Sequence, residues 1–236
     1  MKANDNAPED LKERNGDFML IPQYESVKRE FDTNLSSMYK LDNFICCEEN
    51  MMAYSAAEAV AFETEVFNPL YFYGESGTGK THLLHAIGNH ILEHYPKMKI
   101  MYVTAEEYIN DFTKESYKNN EYAIREKYRS LDVLLFDDIQ LLAEDERIQK
   151  EFAYTVDSIL RAGNQVVIAA DNPPKKLKGY DRRIQKMLGM GLVTELHFPN
   201  PVSKENIVRV KAQERGVLLQ EDVYKYIAEK CNSDVA

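Results

Sequence analysis

The sequence has no long apolar run, few cysteines and fewer basic than acidic residues. No apolar stretch approaches the ~20 residues that a membrane-spanning helix needs. The first residues, Met1 to Asp17, are polar and acidic and lack the apolar segment of a signal peptide. We therefore expect no membrane association and a cytoplasmic location.

The cysteines and histidines are not spaced as in a disulfide framework or a metal centre. Cys46 and Cys47 are adjacent and Cys231 is remote, which fits neither disulfide nor zinc-ligand spacing. Four histidines share one predicted helix, but no acidic or cysteine side chain is positioned to complete a metal site. They are His82, His85, His90 and His94. We expect reduced, structural thiols and histidines that serve in packing or at the surface.

The acidic excess limits the partners that this chain can bind. The sequence contains 39 Asp and Glu against 29 Lys and Arg, which gives a formal net charge of −10. Such a chain is a poor general binder of phosphate backbones. Contact with DNA is therefore expected only from a local patch or from a region outside this chain.

The 236 residues suffice for one large domain, or a large domain with a small one attached.

Short apolar runs alternate with helical patterns through most of the chain. This alternation predicts an α/β fold, with a parallel sheet covered by helices on both faces. The predicted strands are 70–73, 99–103, 132–136, 165–170 and 193–198. The predicted helices are 50–63, one beginning near residue 80, two within 105–129, 140–161, 181–190, 203–215 with Ser203 as a good N-cap, and 220–230.

Three regions are expected along the chain. Residues 1–40 are polar and weakly patterned, so we interpret them as an N-terminal arm or linker that docks partly on the body. Residues 41–200 hold the predicted sheet. After Pro201 the pattern becomes purely helical, and 201–236 are interpreted as the beginning of a small helical lid.

A glycine-rich loop between the first strand and the next helix is the strongest motif. It has the spacing of a phosphate-binding loop, and its residues are Gly74, Glu75, Ser76, Gly77, Thr78, Gly79, Lys80 and Thr81. Glycines permit the turns that aim backbone N–H groups at phosphates, and the following helix directs its positive end at the same anion. Lys80 is expected to reach the β- and γ-phosphates and Thr81 to hold magnesium. The loop predicts binding of ATP or ADP with Mg²⁺.

Acidic side chains follow the third and fourth predicted strands. Asp137 and Asp138 end an apolar strand, at the sheet edge where open α/β sheets bind ligands. Asp137 is expected to hold the magnesium largely through water, and Asp138 to orient or activate the attacking water. Asp171 and Asn172 follow the fourth strand. They either lie beside the γ-phosphate or form a turn into the two prolines that follow, and the residues alone leave both interpretations open.

Seven segments spread from residue 41 onward carry a further signal as a set. They are Leu41 to Phe44, Asn68 to Leu70, Thr81 to Leu83, Tyr128 to Gln140, Glu146-Arg147, Asp171 to Pro174, and Gly189 to Leu192. In order and spacing they resemble the bacterial replication initiator DnaA, or a paralogue of it. The resemblance implies a P-loop NTPase fold of the AAA+ type: three αβα layers, a parallel five-stranded sheet and the start of a helical lid.

The resemblance also implies residue roles and partners. Asp171 would be the sensor of the γ-phosphate, and Lys80 and Asp138 would act with it in hydrolysis. His82 and Ile45 would lie at the nucleotide, with Ile45 and its neighbours near the adenine. Arg147 matches a position that contacts single-stranded DNA, and Lys114 is a second candidate. In that family ATP drives self-assembly into a filament that opens origin DNA.

This sequence departs from the family at the arginine finger. The finger falls on Met187 or on Lys186, depending on the register used, and neither is arginine. A second sensor arginine and a duplex-reading helix-turn-helix are also not found in these residues. We expect weak hydrolysis by an initiator-type ATPase module. The alternative is a DnaA-related regulator or helicase-loader-like protein that binds nucleotide and a protein partner without recognising an origin.

The lysine run 175–178 is interpreted as a solvated loop rather than a DNA groove.

Overall fold

The computed structural model describes residues 32–118 and 120–230. The strands are β1 (Leu70–Tyr73), β2 (Ile100–Thr104), β3 (Val133–Asp137), β4 (Gln165–Ala170) and β5 (Leu192–Glu195). The helices are α1 (Met51–Phe62), α2 (Lys80–His94), α3 (Ala105–Tyr117), α4 (Glu121–Arg129), α5 (Glu146–Arg161), α6 (Arg182–Leu188), α7 (Pro201–Glu214) and α8 (Glu221–Lys230). Short 3₁₀ helices cover Ile139–Glu144 and Pro174–Lys176.

The five strands form one parallel sheet in the order β2-β3-β4-β1-β5. Alternate residues of each strand enter different cores. In β3, for example, Leu134 and Phe136 pack with α3, α4 and α5, whereas Val133 and Leu135 pack with α1 and α2. Burial on both faces explains why β1, β3 and β4 are largely apolar. The predicted three-layer αβα fold with a parallel five-stranded sheet is confirmed.

The parallel arrangement determines where the motifs lie. β1, β3 and β4 are neighbours in the sheet, and their carboxyl ends share one edge. The glycine-rich loop follows β1, Asp138 follows β3, and Asp171 follows β4. Motifs separated by dozens of residues in the sequence therefore converge at one sheet edge.

Two helix predictions need correction. The predicted helix 140–161 is broken, because Asp145 is extended (φ −126°, ψ 104°) and its side chain accepts hydrogen bonds from the N–H groups of Arg147 and Ile148. Asp145 is thus the N-cap of α5, and the residues before it form a 3₁₀ helix. The cap of α7 is Asn200 rather than Ser203, since Asn200 Oδ1 accepts from the Ser203 N–H over 2.9 Å and Pro201 takes the first helical position.

Other predictions concern the end of β5, the cysteines and the N-terminal segment. β5 ends at Glu195, short of the predicted end at residue 198. Cys46 and Cys47 are free thiols, and Cys231 lies outside the described residues. Of the predicted arm 1–40, only 32–40 belong to the described part, and the division into three regions stays a prediction. Within 32–118 and 120–230, no helix has the length and apolar character to cross a membrane.

Candidate functional site

A cavity of about 380 Å³ opens at the carboxyl edge of the sheet. Its polar wall consists of 76–82 from the loop and α2, together with Asp137, Asp138 and Asp171. Its other wall consists of the segment before α1, with Pro199 before α7 and Ile207 and Lys211 from the middle and second half of that helix. The structure therefore brings nearly all of the predicted nucleotide-site residues to one cavity.

Two positions of the loop require glycine because neighbouring atoms lie too close to the backbone to leave room for a side chain. A Cβ atom on Gly74 would lie 2.2 Å from the Leu196 carbonyl oxygen, a backbone atom that cannot move aside. Gly79 has φ +103°, and a Cβ there would lie 2.9 Å from the ring of Phe44. The loop can therefore run close to both walls of the cavity only with glycine at these positions.

Lys80 is the buried cation of the site, with 6% of its surface exposed. Its Nζ donates to the carbonyl oxygens of Gly74 (2.6 Å) and Glu75 (2.9 Å). Asp171 Oδ1 lies 3.4 Å from the same Nζ. Lys80 is also the first residue of α2, so the amides at the start of this helix face the loop. The Lys80 ammonium group and the amides of the helix thus lie together at one end of the cavity, beside the Asp171 carboxylate.

Thr81 and Asp137 form a pair of oxygen ligands beside this cation. Thr81 Oγ1 donates to Asp137 Oδ2 over 2.6 Å. Tyr102, on β2, donates its hydroxyl to the same Oδ2 over 3.0 Å. The Asp138 N–H donates to Asp137 Oδ1 over 2.9 Å. A hydroxyl and a carboxylate at this separation suit Mg²⁺, which prefers oxygen ligands.

Asp138 and Asp171 are joined by Gln140. The amide nitrogen of Gln140 donates to Asp138 Oδ1 (2.9 Å) and to Asp171 Oδ2 (3.0 Å). Its oxygen accepts from the Asp171 N–H over 3.3 Å. Asp138 has φ +56°, and burial, followed by the neighbouring Asp137, raises the pKa of its carboxyl. Asp171 also lines the cavity, and its role as a sensor of the γ-phosphate stays a prediction.

The outer end of the cavity comes from segments that sequence reasoning largely missed. Ile45 lines it as predicted, and so does His82. The His82 Nε2 donates to the Lys40 carbonyl oxygen over 2.9 Å, and burial lowers the pKa of the ring. Asn43 and Phe44, neighbours of Ile45 and also expected near the adenine, line it too, whereas the lining residues that were not predicted are Tyr39, Asn50, Pro199, Ile207 and Lys211.

His85 anchors the segment 32–40 on α2. Only 5% of its surface is exposed, and its Nδ1 accepts from the Ser36 N–H over 3.3 Å. The ring centroid lies 3.9 Å from that of Tyr102 and 5.3 Å from that of Tyr39. Burial, and then the nearby His82, lower the pKa of His85 to about 4. His85 is thus neutral at physiological pH, with Nδ1 as an acceptor.

We expect the fold to lose stability as His85 is forced to take up a proton. Its pKa is about 4 in the folded chain and about 6.5 in an unfolded one. Between these two pKa values the folded state binds fewer protons than the unfolded state. The contribution of His85 to the free energy of unfolding is therefore complete above the unfolded pKa and is lost as pH falls toward the folded pKa. Between about pH 7 and about pH 5, the free energy of unfolding should fall by about 2 kcal/mol because of His85.

Denaturant unfolding of three chains at these two pH values checks this expectation. The loss on acidification should be smaller in His85→Gln than in the wild type. It should be unchanged in His94→Gln, because His94 is exposed at the end of α2. Equal losses in all three chains would show that His85 does not cause the effect.

Several other predicted residues lie away from this cavity. Arg147 is exposed on the first turn of α5, with its guanidinium carbon 5.8 Å from the centre of the Phe112 ring. Lys114 is exposed near the end of α3. Met187 is partly buried against the core, whereas Lys186 is exposed and lines a second groove of about 640 Å³. Among the residues that the structure describes, no group of three or more His, Cys, Asp or Glu is placed to bind a metal.

Comparison with known proteins agrees with this geometry. A family model for the bacterial DnaA ATPase domain matches residues 35–195. The chromosomal replication initiator protein DnaA of Leifsonia xyli subsp. xyli is 38% identical over 221 residues, which are 92% of this chain and 47% of that protein. The chain thus spans about half the length of the curated relatives that it matches.

Solved structures of similar proteins have the same fold. Domain III of the Thermotoga maritima replication initiation protein DnaA aligns with a TM-score of 0.82 at 34% identity, covering 86% of this chain and 85% of that one. The replication initiator DnaA bound to AMPPCP and single-stranded DNA aligns with a TM-score of 0.80 at 30% identity, covering 86% and 62%. These likenesses confirm the predicted fold class.

Proposed function

We propose, because this chain belongs to the bacterial DnaA ATPase-domain family, that it binds ATP with magnesium as the nucleotide module of a replication initiator. The observation that carries the proposal is the convergence of Lys80, Thr81 and Asp137 at one end of a cavity that a nucleotide can enter. A relative with the same fold binds the ATP analogue AMPPCP. A chain that fails to bind labelled ATP in a direct titration would contradict this proposal.

Each residue of the polar wall has a proposed task. The amides of the loop and of the α2 N-terminus bind the phosphates, and Lys80 neutralises the β- and γ-phosphates. Its present partners, the Gly74 and Glu75 carbonyl oxygens, keep its Nζ at the loop. Thr81 would hold Mg²⁺ directly, and Asp137 would hold it largely through water. Bound Mg²⁺ neutralises charge on the phosphates. ADP fits the same contacts apart from those to the γ-phosphate.

Hydrolysis is proposed to depend on Asp138 and Asp171. Asp138 orients or activates the attacking water, and Asp171 senses the γ-phosphate. The bridge through Gln140 supports this pairing, because it joins the two carboxylates at the ends of β3 and β4. At the finger position we favour Lys186 over Met187, since Lys186 is exposed and Met187 is packed against the core. A lysine there makes the proposed hydrolysis weak.

The initiator role is favoured over the regulator or loader alternative. The family match covers residues 35–195, and the Leifsonia xyli relative, at 38% identity, is a chromosomal replication initiator protein. We therefore propose self-assembly into a filament and contact with other replication proteins as the working context. Single-stranded DNA is proposed as a weak ligand through Arg147 and Lys114.

DNA binding by this chain is expected to be weak, with a preference for single strands. The net charge of −10 opposes contact with phosphates, and only two contact residues are proposed. Two phosphate contacts on a single strand give a log–log salt slope of about −1.4. Fluorescence anisotropy with a single-stranded oligonucleotide and its duplex, over a series of salt concentrations, measures both affinity and slope.

Variants on one helix provide the control for this expectation. Arg147→Ala should reduce the magnitude of the slope by about 0.7. Arg161→Ala should leave it unchanged, because Arg161 lies at the other end of α5 and pairs with Asp157. Tight, sequence-specific binding of a duplex by the wild-type chain would be incompatible with this part of the proposal.

A further inference from the structure

Tyr102 has no role in the function proposed above, although its hydroxyl touches the carboxylate assigned to magnesium. That hydroxyl donates to Asp137 Oδ2 over 3.0 Å, and the same oxygen accepts from Thr81 Oγ1 over 2.6 Å. Asp137 Oδ1 accepts from the Asp138 N–H over 2.9 Å. Three donors therefore hold the two oxygens of a side chain that exposes 2% of its surface.

Tyr102 is itself held firmly. It pairs with Leu135 in the register of β2 and β3, and its backbone N–H donates to the Thr33 carbonyl oxygen over 2.9 Å. Its ring lies 3.9 Å from the His85 ring, and His85 in turn accepts from the Ser36 N–H. The phenol thus packs beside α2 and the sheet while its strand is bonded to Thr33, which restricts the direction of its hydroxyl.

The Tyr102 hydroxyl is chemically suited to donate a hydrogen bond to the Asp137 carboxylate at all times. A tyrosine hydroxyl ionises only near pH ~10, well above neutral pH. The hydroxyl therefore stays protonated at neutral pH and donates to the carboxylate throughout. A hydrogen bond to an ionised acceptor is stronger than one between neutral groups.

We propose that Tyr102 is a positioning residue for the magnesium site, which orients the Asp137 carboxylate toward Thr81 and toward magnesium-bound water. The inference rests on the proposed binding of Mg²⁺ and ATP. Outer partners that orient metal ligands typically change metal affinity about 10- to 100-fold when they are removed. The segment 32–40 supports the same site indirectly, through its contacts with Tyr102 and His85.

The test compares Tyr102→Phe with Tyr108→Phe. Both changes remove one hydroxyl from a ring, but Tyr108 is buried on the opposite face of the sheet, against Phe136 and Phe152. The probe is a fluorescent ATP analogue whose affinity is measured first in EDTA and then at increasing MgCl₂. The quantity compared is the free Mg²⁺ concentration at which half of the magnesium-dependent gain in affinity is reached.

In Tyr102→Phe this concentration should rise about tenfold, while the affinity in EDTA stays at the wild-type value. Tyr108→Phe should match the wild type in both respects, and thermal unfolding should show that all three chains are folded. An unchanged or lower magnesium requirement in Tyr102→Phe would overturn the inference and leave the proposed function standing. A wild-type chain whose affinity does not respond to magnesium would overturn both.

Discussion

Replacing Lys80 with alanine is expected to weaken ATP binding at least about tenfold, a loss on the order of 1.4 kcal/mol or more. Lys80 is the buried cation of the cavity, with 6% of its surface exposed. Its Nζ lies where the loop carbonyls of Gly74 and Glu75 meet Asp171. Alanine removes the charge that meets the β- and γ-phosphates and leaves Asp171 without the ammonium group that lies 3.4 Å from its Oδ1.

Titration of labelled ATP against the wild type and Lys80→Ala measures the loss. Lys97→Ala is the matched control, because Lys97 is exposed in the turn after α2 and does not line the cavity. The control should bind ATP as the wild type does. Equal affinities for all three chains would refute the assignment of 74–81 as the phosphate-binding loop.

ATP hydrolysis by this chain is expected to be slow and not to be rescued by self-assembly. An arginine finger from a neighbouring subunit stabilises charge on the transferring phosphoryl group, and its loss typically costs a factor of ~10³ or more. Here Met187 carries no charge and is partly buried against the core. Lys186 is exposed, but an ammonium lacks the planar fork of a guanidinium.

Steady-state hydrolysis over a wide range of protein concentration tests this expectation. The specific rate should stay low and nearly constant. Lys186→Arg should raise the rate at high concentration, whereas Met187→Arg should not, because that position is packed against the core. A wild-type rate that climbs steeply with concentration and collapses in Arg182→Ala or Arg183→Ala would show that one of these exposed arginines is the finger.

The phosphate end of the site could be predicted from sequence because its signals are local. Gly74 to Thr81 are consecutive, and their types follow from backbone turns and phosphate charge. Asp137 and Asp171 end buried strands, and parallel strands bring their carboxyl ends to one edge. Thr81 and Asp137 are thus in contact although 56 residues separate them.

The rest of the site could not be predicted because it depends on packing between distant segments. Lys211 and Asn43 meet across 168 residues, and their contact depends on how α7 returns to the segment before α1. Tyr102 reaches Asp137 only through the register of β2 and β3. Tyrosine in a strand is ordinarily a packing residue, so its type gave no sign of a polar role.

The two helix corrections have a different cause. The apolar spacing of 140–161 continues through Asp145, but the Asp145 side chain bonds to the N–H groups of Arg147 and Ile148 and starts a new helix. At α7, Asn200 before Pro201 is a stronger start signal than Ser203, whose hydroxyl instead donates to Glu49 over 3.1 Å. In both places a local side-chain hydrogen bond outweighed the periodic pattern.

Hydrogen–deuterium exchange of the wild-type chain with and without ATP and MgCl₂ tests the central claim most directly, because it reports where the nucleotide binds. We expect slower exchange in the loop and first turn of α2 (74–84), with further protection in the segment before α1 (39–50) and around Ile207 and Lys211 of α7. Exchange in α3 and α4, which do not line the cavity, should not change. Protection that is absent, or that falls on α3 and α4 but not on 74–84, would contradict the proposal that this cavity is the ATP site.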